Sequence, residues 1–129
     1  MTILKMRLIS GLMLAFIGVM ASGIATASEI EKDMKSMKKN LRSAVNSDSV
    51  EELAPYIDSL KYSAWHASNL NFDGSEQEKN TYREGLIKVH KQLEEANQAV
   101  KNRDLDGAKR ILSKVRETQD AYHEKLNVE

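Results

Sequence analysis

A chain of 129 residues in which 19 basic residues balance 19 acidic ones has room for one domain at most. It carries no charge excess of the kind that draws nucleic acid or an anionic lipid surface. It contains no cysteine, which excludes disulfides, iron–sulfur clusters, thiolate metal ligands and any cofactor attached covalently through sulfur.

Residues 1–27 read as a secretory signal peptide. Lys5 and Arg7 form a basic start, Leu8 to Met20 an apolar run broken only by Ser10, Gly11 and Gly18, and Ala25-Thr26-Ala27 the small residues that precede a cleavage site. Cleavage is expected after Ala27. The apolar run approaches the roughly 20 residues that span a bilayer, but its small-residue ending favours removal over anchoring. Removal takes away Lys5 and Arg7 and no acid. The remaining domain, 28–129, is then slightly acidic, with no stable membrane association and enough apolar residues for one modest core.

In that domain the apolar residues fall at helical spacing four times over. Ile30, Met34, Met37, Leu41 and Ala44 draw one stripe, with Ser28 and Glu31 as a capping box at its start and Asn46-Ser47-Asp48 as its end. Ser49 with Glu52 repeats the cap before Val50, Leu53, Ile57, Leu60, Ala64 and Ala67, where Pro55 is expected to kink the helix or to mark where its regular part begins. Asn69 to Gly74 is a polar turn. Ser75 with Glu78 caps a third stripe of Tyr82, Leu86, Val89, Leu93, Ala96 and Val100. After Asn102-Arg103, Asp104 caps a fourth, of Leu105, Ala108, Leu112, Val115, Gln119, Tyr122 and Leu126, with Gly107 a weak point in its first turn. Trp65 and His90 read as packing beside their stripes. The expected fold is all-α, an antiparallel up-down-up-down four-helix bundle.

In that topology the start of the first helix and the end of the fourth share one end of the bundle. Met34 and His123 each lie under two turns from their ends of the 28–129 segment, roughly 9 Å along the axis at ~1.5 Å per residue, so they are level. A methionine and a histidine brought together in an apolar interior can hold a haem iron from both faces, a ligand choice that favours the reduced metal. With no cysteine, such a haem is non-covalent. Spacing alone leaves plainer readings open, Met34 and Met37 as core fillers and His123 as a half-exposed helix residue. That would make the protein a haem-free helical stress or chaperone-like adaptor. A third reading adds His66, near the end of the second helix, to Met34 and His123 as a soft-metal site for copper or zinc.

Two stretches carry a resemblance. Ser28 to Leu41, with Met34 seventh, and Asp120-Ala121-Tyr122-His123-Glu124-Lys125 resemble the two ends of the cytochrome b562 family of periplasmic haem b proteins. Tyr82-Arg83-x-Gly85-Leu86 resembles the start of that family's third helix. The likeness spans the domain in length and helix order, with the matches concentrated at its ends. It implies one non-covalent haem b per chain with Met34 and His123 as axial ligands, and Met37, Leu41, Tyr82, Leu86 and Tyr122 around the macrocycle. It also implies a monomeric electron carrier that meets a redox partner in the periplasm. Gln119 stands where the family can carry an arginine one turn before the histidine, which weakens the positive charge near the propionates; Arg116, a further turn back, is a candidate replacement. Iron ligated on both faces leaves no position for substrate. The sequence has no phosphate-binding glycine loop, no His-Glu-x-x-His and no serine elbow, so the chain is not expected to be an enzyme.

Overall fold

A computed structural model describes the backbone of residues 17–127 and the side chains of residues 27–127. The described residues form four helices and no strand: α1 (Ile17–Val45), α2 (Val50–Ser68), α3 (Glu76–Lys101) and α4 (Leu105–Leu126). They pack as a four-helix bundle in which α1 meets α2 and α4, and α3 meets α2 and α4. Cross-helix pairs give the relative directions. Ser63–Ser36 and His66–Asp33 step oppositely along α2 and α1, and Lys61–Glu94 and Tyr82–Ala67 do the same along α2 and α3.

Most of the four stripes are inside. Met37, Leu41 and Ala44, all six stripe residues of α2, Tyr82 to Ala96 at their stripe positions, and Ala108, Leu112 and Val115 are buried. Fully burying a large aliphatic side chain is worth about 1.5–3 kcal/mol, and this apolar stripe decides which face of each helix points inward. The main core runs from Met37 to Val115, while Ala67, Tyr82, Leu86 and Leu126 form a second, smaller cluster.

The helix ends differ from expectation in informative ways. The Ser75 box is complete: Glu78 N–H donates to Ser75 Oγ at 3.1 Å and Ser75 N–H to Glu78 Oε1 at 2.8 Å. At Ser49 only half of the box forms. Ser49 Oγ accepts from Glu52 N–H at 3.1 Å, but the Glu52 carboxylate reaches one residue further back, to Asp48 N–H. The box expected at Ser28 and Glu31 is absent because α1 begins at Ile17. With residues upstream still attached, the amides of that turn have carbonyls four residues back, and Ser28 sits exposed inside the helix. Glu31 instead pairs with Lys35 at 3.9 Å on the surface. The basic start of the expected signal peptide lies outside the described residues, and none of the described helices is long and apolar enough to cross a membrane.

Pro55 neither delays nor ends α2, which starts at Val50 and continues to Ser68. It is exposed and forfeits only the bond to the Glu51 carbonyl, close to the helix start. Gly107 has a reason that its helix propensity hides. The Asp104 carboxylate that caps α4, accepting from Gly107 N–H at 2.9 Å, occupies the space a Cβ would need. Two packing expectations are corrected. Trp65 is 58% exposed, beside Tyr62 on the outer face of α2, and His90 is exposed as well. Each stands a step off its helix's stripe, and among the described residues no further element covers that face.

Candidate functional site

Met34 of α1 and His123 of α4 lie toward the end of the bundle where Ile30 and Leu126 share the smaller apolar cluster. Met34 is half-buried, and among the described residues it is the one partly buried side chain that packs against both apolar clusters. Met37 is fully buried and Leu41 nearly so in the main cluster, and Tyr82 and Leu86 are buried in the smaller one. Leu126, one turn after His123, belongs to that second cluster, together with the partly buried Ile30. Neither was singled out from the sequence, although both lie on the apolar stripes.

His123 is half-buried in the last turns of α4. Its surroundings lower its pKa below the usual imidazole range, chiefly because burial penalises the charged ring. Lys38 of α1 adds to the lowering, while Asp120 one turn back opposes it. Lys38 follows Met34 by one turn on α1. Of the four seams between adjacent helices, α1–α4 is the least extensively packed. The helix carrying His123 ends cleanly, with Asn127 in the left-handed region and its N–H on the carbonyls of His123 and Glu124.

Tyr122 turns the other way. Its ring lies against Gly85 of α3, where a Cβ would stand 2.7 Å from the ring carbons, and its hydroxyl donates to Glu84 Oε1 at 3.0 Å. Lys125 Nζ sits 4.5 Å from the ring centroid on the outside. Gly85 thus lets α3 and α4 approach at the level of His123. Tyr82 donates its hydroxyl to the Ala67 carbonyl at 2.7 Å, satisfying an acceptor in the last turn of α2, and stacks on Phe72 at 4.8 Å. Its own pKa is pushed far up, by burial first and then by the nearby Asp33 carboxylate. Gln119 is half-buried, and Thr118 takes the buried position next to it; Arg116 is exposed.

His66, the further residue of the soft-metal reading, is engaged on one ring nitrogen by the residue before Met34. Its Nδ1–H donates to Asp33 Oδ2 at 2.6 Å, across the α1–α2 seam. Among the described residues no group of three or more His, Asp or Glu is arranged to hold a metal ion.

The donor set fits a haem. Its members are a thioether on α1 that packs against both apolar clusters and a half-buried imidazole on α4, a donor pair suited to haem iron. Proteins of this class hold a prosthetic group between facing helices of a bundle, with ligands projecting inward. Residues 29–127 match the family model of cytochrome b562, and the chain belongs to that family. Its members are haem-binding electron carriers of the four-helix-bundle class and not enzymes. No curated protein gave a significant match.

Proposed function

We propose that this protein is a soluble periplasmic electron carrier that holds one non-covalent haem b, with the Met34 thioether and the His123 imidazole as its axial ligands. What supports the reading is the family of the chain, together with a half-buried thioether on α1 and a half-buried imidazole on α4 toward the same end of the bundle. Bound there, haem b supplies reversible one-electron storage at its iron. The protein's part is to bind and to shield. Met34 and His123 would hold the iron from both faces, which would leave no position for substrate. The buried Met37 and Leu41 of the main cluster and Tyr82, Leu86 and Leu126 of the smaller one would exclude water from the group. Gln119 lies one turn before the ligand, and Arg116 is the nearest cation further along α4 toward its start.

The leader, residues 1–27, is removed after Ala27 in this reading, which delivers a monomer to the periplasm to meet a redox partner there. Haem titration of the purified protein tests the proposal. A sharp low-spin spectrum that saturates at one haem per chain supports it. A spectrum that stays that of free haem refutes it and leaves the haem-free adaptor.

A further inference from the structure

We propose that Asp33 and His66 form a clasp that positions Met34 for the iron, a role that rests on the reading of Met34 as a ligand. Asp33 immediately precedes Met34 and is 9% exposed, and it shares its charge with His66 of α2 through a bond of 2.6 Å. Successive residues on a helix are about 100° apart. Asp33 drawn toward α2 therefore sets the direction in which Met34 leaves the helix, around toward α4 and His123. A second link, Ser63 Oγ to Ser36 Oγ at 3.3 Å, lies one turn deeper on the same edge. The outer link holds the turn that carries Met34, and the deeper one joins the turn below it. Only the outer one carries charge, and only the outer one adjoins Met34.

The position explains the need. Once the leader is cleaved, Asp33 stands in the second turn of a helix whose end frays, and the side chain nearest that end on the inner stripe, Ile30, is only partly buried. The exposed Glu31–Lys35 pair stays within α1 and ties it to nothing. A carboxylate with so little solvent loses its charge-assisted partner if the turn rotates, so rotation is resisted at the ligand's own turn. The Asp33 carboxylate also lies near enough to Tyr82 to raise that phenol's pKa, so α1, α2 and α3 converge at this level.

The test uses haem-loaded protein and two optical readouts, the sulfur-to-iron charge-transfer band of the ferric form and carbon monoxide binding by the ferrous form. Asp33→Ala and His66→Ala should each raise the ratio of sulfur-free to sulfur-ligated iron by about tenfold, since a hydrogen bond to a charged group is lost. The double variant should be no worse than either single one, and His66→Gln, which keeps a donor, should recover most of the band. Ser63→Ala cuts the deeper link between the same helices and should leave both readouts unchanged. If a variant fails to load haem, amide exchange of its haem-free form should quicken at residues 30–34 and not in α4. An unchanged band in Asp33→Ala and His66→Ala, or equal loss in Ser63→Ala, overturns the clasp while Met34 remains a ligand. A shift in potential without loss of the band overturns it too, showing that Asp33 acts by charge alone. If Met34→Leu itself leaves the band intact, the ligand reading has failed and the clasp with it.

Discussion

Gly85 of α3 lies so close to Tyr122 of α4 that a Cβ at that position would stand 2.7 Å from Cγ and Cδ2 of the ring. The residue after Tyr122 is His123, so the approach of α3 to α4 fixes where the imidazole is carried. Gly85→Ala gains up to roughly 1 kcal/mol of helix propensity but overpacks a tight contact, which costs about 1–3 kcal/mol and a shift of α4. The variant should unfold at lower urea concentration and bind haem more weakly. Denaturation and haem titration of the same preparation check both effects, and equal stability with equal affinity would contradict the geometry.

His123 gives the haem-free protein a pH dependence. Its folded pKa is lowered from about 6.5, so the unfolded chain takes up the proton first as pH falls. The neutral ring's contribution to stability is full above the unfolded pKa and declines as pH drops through 6.5 toward the lower folded value. Stability measured from pH 8 to pH 5 should fall in that window. In His123→Gln the fall should be smaller, and parallel curves for the two proteins would count against burial of the ring.

Gly107→Ala should not deliver the stabilisation that helix propensity alone promises. The added methyl meets the Asp104 carboxylate and displaces the cap of α4, at a cost of about 0.5–2 kcal/mol. A midpoint below that of the parent is expected in thermal unfolding, and a higher one would mean that the cap contributes little.

Met34 and Met37 separate by depth. Met37 is fully buried in the main core, one turn below Met34, and moving a ligand there would draw the haem's charged propionates toward an apolar interior. Met37→Leu nearly conserves volume and should keep the low-spin spectrum with a modestly changed potential. Met34→Leu should give a ferrous form that binds carbon monoxide, with a lower potential because the soft sulfur is gone. The reverse pattern would place the register of α1 wrong by one turn.

The helices were legible because burying an apolar stripe is the dominant local instruction, and Val50 to Ala67 on α2 and Met37 to Ala44 on α1 obeyed it fully. Where the stripe becomes small or mixed, rotation is set by the neighbour and not by the sequence around it. Ala99 rather than Val100 is buried on α3, and Thr118 rather than Gln119 on α4. Trp65 was misjudged for a related reason, since its size says apolar but its place on the helix says outside. Met34 and His123 were singled out through matched depth and through resemblance, and the structure leaves both half-buried. Asp33–His66 was not, because its partners are 33 residues apart and each alone is an ordinary polar residue on a helix edge.

The axial pair itself is read most directly by near-infrared magnetic circular dichroism of the haem-loaded ferric protein, whose ligand-field bands depend on which atoms hold the iron. Ligation by Met34 and His123 predicts the signature of one thioether and one imidazole, lost in Met34→Leu and kept in Met37→Leu. A signature of two imidazoles, or of one imidazole and water, in the unaltered protein would contradict it.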